Sequence, residues 1–247
     1  MSENSYGQFC PIAKGAEIVA TRWTPLIVRE LMDGEGTFLD IHRGVPLISR
    51  GLLAERLRQL EIDGVVAKER GRGASRGHVW KLTPAGEALR ETLEALGRWG
   101  LIYGRDKVSR QDYDSTVLMW GIRRRIDRTI LPDERVVVRF DLSGVARSST
   151  GKRLHWLILE REHVDVCLRD PGYPVDLTVS GHISLLIDSY LGHTTWREAQ
   201  NRGLAVSGER RLARELVRWL RLDLTGRDLP VLPEPRRAAG RASKGHA

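Results

Sequence analysis

The sequence predicts an α+β protein built as two units and a tail, and three observations carry that expectation. Across positions 1–107, capped amphipathic helices lead into a glycine-rich basic hairpin. Across 108–228 a helix precedes a run of strands and helices close the segment, so helices and strands are segregated rather than alternating. The chain has 247 residues, 41% of them apolar, which is enough for two cores at about 100–200 residues per domain. The remainder, 229–247, holds three prolines, four basic residues and one acid, and reads as a disordered basic arm.

Composition narrows the partners. A net charge of +8 favours a polyanion, nucleic acid before an anionic membrane surface. The charge is local, since positions 42–81 carry nine basic residues and four acidic ones. Cys10 and Cys167 are the two cysteines and form no Cys-x-x-Cys pair, so neither a disulfide scaffold nor a cysteine zinc site is expected. Met1–Ser5 lacks the basic-then-apolar pattern of a secretory signal, and no apolar run approaches the ~20 residues that span a bilayer. The expected setting is the cytoplasm, away from membranes.

The elements follow from local signals. Pro11–Ala20 reads as a helix with Ile12, Ala16 and Val19 on one face. Thr24-Pro25 reads as an N-cap with proline at the first helical position, and the 33–36 run Asp-Gly-Glu-Gly stops that helix. A short helix from Phe38 to Arg43 is broken by Gly44-Val45-Pro46. Ser49 caps a third helix reaching Asp63, with Leu53, Leu57 and Leu60 inward and Gly64 just past its end. Strands 65–70 and 78–82 flank the turn 71–77, giving a two-stranded wing. Thr83-Pro84 then opens a long helix through Leu89, Leu93, Leu96, Trp99 and Tyr103.

Helix, helix, capped helix, basic hairpin is the order of a winged helix-turn-helix. With the leucines inward, Gly51, Glu55 and Arg58 lie on the opposite face and Ala54 on its flank. Recognition helices enter the major groove by their N-terminal residues, so Ser49, Arg50, Gly51, Ala54, Glu55 and Arg58 are the candidates for base edges and phosphates. Arg70, Arg72 and Arg76 on the hairpin suit phosphates or the minor groove. A basic amphipathic helix alone is as readily a solvated surface; it is the full arrangement that points to double-stranded DNA.

These residues resemble the HxlR-type transcription regulators of bacteria and archaea. The resemblance runs from Cys10-Pro11 through Arg22-Trp23-Thr24, Phe38-x-x-Ile41-x-Arg43-x-Val45-Pro46-x-Ile48-Ser49 and Leu53-x-x-Arg56-Leu57-x-x-Leu60-Glu61-x-x-Gly64-Val65-Val66 to Leu82-Thr83-x-x-Gly86 and Trp99. Leu47 and Trp80 stand where that family usually has glycine and tyrosine, and the hairpin lacks its Pro-Pro. The resemblance implies a homodimer on operator DNA. It also implies a sensing role for Cys10 in redox or electrophile chemistry. No basic cluster in the sequence flanks that cysteine, and a small packing residue beside Pro11 is the alternative.

In the second half, 112–128 reads as a helix with Leu118, Ile122 and Ile126 inward and Arg123-Arg124-Arg125 as a solvated face. Strands are expected at 135–142, 153–160 and 164–168, with 160–163 turning a hairpin. A strand over 176–180, helices 181–191 and from 194, a short extended 204–207 and a helix 209–220 complete the unit. The order from Val175 to Leu220, with the turn Gly203-Leu204-Ala205-Val206-Ser207-Gly208-Glu209, resembles the sterol-carrier-protein-type lipid-binding domain. That resemblance implies an apolar tunnel, with Phe140, Trp156, Leu185 and Trp196 either lining it or filling a solid core.

Catalytic and cofactor signals are poor. Gly71-x-Gly73 lies in a hairpin and lacks the last glycine of a dinucleotide motif, and Gly151-Lys152 lacks both the upstream glycine and the hydroxyl residue of a phosphate loop. The seven histidines make no helical i, i+4 pair, so no metal is expected. The resulting expectation is a non-enzymatic, homodimeric DNA-binding regulator, a repressor with an apolar small-molecule effector in its second unit. The rival is a lipid-handling or enzymatic protein whose winged helix docks proteins, against which stand the arginines on both recognition helix and wing.

Overall fold

The computed structural model describes residues 5–32, 34, 36–71, 77–104, 107–147 and 151–222. The expected basic arm at 229–247 and the wing arginines Arg72 and Arg76 lie outside them. Two apolar cores form, one from residues between Ile18 and Leu93 and one from residues between Tyr113 and Leu222.

The first core is assembled from α1 (Pro11–Val19), α2 (Thr24–Leu31), β1 (Gly36–Thr37), α3 (Phe38–Gly44), α4 (Arg50–Ile62), β2 (Val66–Arg70) and β3 (His78–Leu82). Then come α5 (Pro84–Glu87) and α6 (Leu89–Tyr103). Thr24 is not the cap of α2. That place belongs to Trp23, held at φ 78° with its ring against the core, while Thr24 is the first helical residue and is buried. A bulky residue in the left-handed region costs about 1–2 kcal/mol, which the ring's packing offsets. The wing is three-stranded, not two-stranded: β1 pairs antiparallel with β3, Thr37 opposite Val79. Two residues are too few for an alternation pattern, which is why this strand was not legible. Thr37 then caps α3 in a reciprocal box with Asp40. The expected single helix from Thr83 is two, since the chain is a turn at Ala88.

The second core surrounds a mixed five-stranded sheet in the order β6-β5-β4-β7-β8. Its strands are β4 (Val136–Ser143), β5 (Leu154–Leu159), β6 (Val164–Cys167), β7 (Leu177–His182) and β8 (Ala205–Gly208). β4 and β7 run parallel; the other pairs are antiparallel. Helix α7 (Ser115–Arg125) packs on β5 and β6, α8 (Ile183–Tyr190) on β7, and α10 (Arg210–Leu220) on α7 and β8, with α9 (Trp196–Asn201) against α8. Helix α7 starts three residues later than expected because Asp114 caps it, its carboxylate accepting the Thr116 and Val117 N–H groups at 2.9 and 3.1 Å. The Gly203–Gly208 turn is an edge strand bracketed by two positive-φ glycines. A side chain at Gly208 would collide with the Asp176 carbonyl.

His155 sits in β5, wholly buried opposite Phe140, with Nε2 3.4 Å from the Thr116 hydroxyl. Burial, opposed by the Asp114 carboxylate, pushes its pKa down to about 4. Between pH 6.5 and 4 the unfolded chain takes up a proton there and the folded chain does not. Stability should therefore be complete above pH 6.5 and fall as pH drops towards 4, by at most about 3 kcal/mol. Urea midpoints measured across that window should show the slope, and His155→Gln should flatten it; an unaltered slope in the variant would assign the proton uptake elsewhere.

Candidate nucleic-acid interface

Helix α4 is held from behind and capped in front. Leu53, Leu57 and Leu60 are buried at 2% exposure or less. Ser49 Oγ accepts the Leu52 N–H at 3.3 Å, satisfying one of the donors that a helix N-terminus leaves open. The turn from α3 into α4 is pinned by His42, whose Nε2 lies 3.1 Å from the Ile48 carbonyl, and the His42 ring stacks on Phe38. Gly64, at φ 71°, turns the chain out of α4, and Thr83 Oγ1 donates to its carbonyl at 2.6 Å.

With the leucines buried, Ser49, Arg50, Gly51, Ala54, Glu55 and Arg58 are all exposed on one side of the helix or at its start. Leu47, at the entry to α4, is exposed as well. Arg70 is exposed at the hairpin end of β2, opposite His78. The wing is stiffened below it by Lys81 bridging Glu69 at 2.6 Å and by the Lys68 ammonium over the Trp80 ring. Cys10 occupies the N-cap position of α1 and is partly exposed. Among the described residues no group of three or more His, Cys, Asp or Glu side chains is placed to hold a metal. No described helix is long and apolar enough to cross a membrane.

What lies behind α3 departs from the expectation. Arg123-Arg124-Arg125 is not a solvated face. Arg124 Nη1 reaches Glu30 of α2 at 2.8 and 3.0 Å, across the joint between the two units. Arg123 donates to the Val164 carbonyl and lies over Trp120, while Arg125 donates to the Tyr190 carbonyl over the Tyr190 ring. Burial lowers the pKa of Arg123 and Arg125. The available signal was position: these arginines end a helix whose preceding turns are buried nearly all round. Phe140, Trp156, Leu185 and Trp196 are all buried in the second core at 7% exposure or less, and the β4–β5 register puts Phe140 and Trp156 on opposite faces of the sheet.

The first unit is a winged helix-turn-helix, and its relatives place it further. Residues 18–108 match the HxlR-like helix-turn-helix family. The chain is 33% identical over 93 residues to an uncharacterized HTH-type transcriptional regulator, YvaP of Bacillus subtilis (strain 168), spanning 37% of this chain and 86% of that protein. It is 33% identical over 91 residues to the HTH-type transcriptional regulator YodB of the same organism, spanning 36% of this chain and 81% of YodB. The protein belongs to the HxlR-like helix-turn-helix family. A solved structure of YodB in reduced form aligns at 31% identity over 39% of this chain and 95% of its own, with a TM-score of 0.35. The curated relatives are named as transcriptional regulators, not enzymes.

The joint behind α3 is testable by a mutant cycle. Glu30 and Arg124 side chains are only 9% and 15% exposed. Glu30→Ala strands Arg124 and should cost about 3 kcal/mol in urea unfolding. Arg124→Ala should cost less, because Arg29 still bridges Glu30 at 2.7 Å. The double variant should fall short of the sum by about 1 kcal/mol or more, and strict additivity would remove the joint as an energetic unit.

Proposed function

We propose that this protein is a DNA-binding transcription regulator that works as a homodimer on operator DNA. The observation that carries the reading is the exposed strip Arg50, Gly51, Ala54, Glu55 and Arg58 on a capped helix whose opposite face is locked into the core. Phosphates would be met by Arg50, Arg58 and the wing arginines, and base edges by the first turns of α4. Repression is the simplest mode, because occupying an operator needs no surface beyond this one.

The dimer reading rests on α6 and α1. Leu89 and Leu93 pack on the first core, but Leu96, Trp99 and Tyr103 are 50%, 59% and 62% exposed, and Phe9 and Ile12 of the amino-terminal segment are 99% and 82% exposed. Two such faces would cover one another in a symmetric pair. Cys10, between Phe9 and α1, is the residue through which oxidation or alkylation would reach that face.

The second unit is the candidate sensor. Its order of β7, α8, α9, β8 and α10, with glycines at 203 and 208, supports the likeness to sterol-carrier-type lipid-binding domains. The four side chains expected to line a tunnel are each buried in the second core, so an apolar effector would sit elsewhere on this unit or displace them.

On a fragment selected from genomic DNA, fluorescence anisotropy should show log affinity falling linearly with log salt, by about 0.9 per neutralised phosphate. Arg58→Ala should weaken binding and flatten that slope by about one if Arg58 meets a phosphate. Affinity indifferent to salt would sink the DNA reading. In sedimentation velocity, Leu96→Glu with Trp99→Glu should give a folded monomer; a dimer of unchanged stability would put the interface elsewhere.

A further inference from the structure

We infer that the cleft between the two units, bounded by the end of α3 on one side and by α7 and β6 on the other, is a binding site for a small amphipathic carboxylate: a ring-sized apolar body with one acidic group. The cleft encloses about 560 Å³, within the range of small-molecule sites. Its apolar wall is Trp120 of α7, Leu168 beyond β6, and Pro46 from the turn into α4. Around that wall stand Lys152, Arg169 and Arg43, the last also 3.5 Å from the Asp40 carboxylate of its own helix. The one carboxylate in the lining, Asp165, already accepts the Val166 N–H at 2.8 Å. An apolar floor with three cations about its rim matches an acid whose body is desolvated while its charge stays near water. The free thiol of Cys167 also lines the cleft.

The site deepens the sensor part of the proposed function and rests on that reading only for its consequence. A ligand there touches α3 and Pro46, which lead directly into Ser49 and the recognition helix, together with the second unit. Its affinity must then depend on how the two units sit against each other, and by linkage the reverse also holds.

The test uses the full chain and 2-naphthoate as probe, with 2-naphthalenemethanol as its uncharged counterpart. Isothermal titration should give one saturable site per chain for the acid and at least about tenfold weaker binding of the alcohol, the factor for one charge-assisted hydrogen bond. Lys152→Glu with Arg169→Glu, both exposed positions, should weaken the acid about tenfold or more. Bound naphthoate should slow alkylation of Cys167 by iodoacetamide, read by peptide mass spectrometry, and leave Cys10 unaffected. The assay should run at mildly alkaline pH, because burial holds the Cys167 thiol above its ordinary pKa. Absence of saturable binding, equal affinity of acid and alcohol, unchanged affinity in the charge-reversed variant, or unprotected Cys167 would each overturn the assignment. DNA affinity measured without probe is a separate readout: a chain that binds DNA but not naphthoate loses this site alone, and one that binds naphthoate but not DNA loses the regulatory reading alone.

Discussion

Much of the geometry depends on one buried carboxylate. Glu30 sits near the end of α2 with its side chain almost fully enclosed, held by Arg29 from its own helix and by Arg124 from α7. A carboxylate removed from water is costly unless its oxygens are satisfied, and these are met by two guanidinium groups. The requirement fixes α2 against α7. It also bears on α3, because a side chain at Gly44 would overlap the Glu30 carboxylate and could be fitted only by pushing that carboxylate off its guanidinium partners. From Gly44 the chain has five residues before α4 begins at Arg50, with His42 tying the turn back to Ile48. The start of α4 is thus linked by a short turn to this polar contact.

That contact was not legible in the sequence, for a physical reason. Glu30 and Arg124 are 94 residues apart, and neither carries a local signal of burial: a glutamate late in an amphipathic helix and an arginine in a basic run both read as solvent-facing. Burial by periodicity was legible wherever the signal is local and repeated. Leu53, Leu57 and Leu60 recur at helical spacing behind a serine cap, and the 66–70 and 78–82 strands are bounded by glycines; each appears where expected. Edges and joints did not announce themselves. β1 is two residues long, and the parallel pairing of β4 with β7 joins segments more than thirty residues apart.

The candidate binding surface divides along the same line. The face of α4 was readable because one amphipathic helix defines its own outside once its inside is known. The proposed effector cleft was not. Phe140, Trp156, Leu185 and Trp196 are recognisable as buried, but apolar character is identical whether a side chain faces a ligand or another side chain. The structure buries those four in the second core and places the proposed cleft between the units.

That arrangement has a thermodynamic consequence. Each unit has its own apolar core, and among the described residues the buried Arg124–Glu30 ion pair and a cleft lie between the two. A joint of that kind can shift without breaking either core, because its polar groups find water or new partners at modest cost while packed side chains cannot. Two positions of such a joint need differ by only a few kcal/mol for a ligand in the cleft to redistribute them. The stiffness that a recognition surface requires is supplied within the first unit by Ser49, His42 and the leucines of α4. It is at the contact between α3 and α7 that the proposed regulation would act.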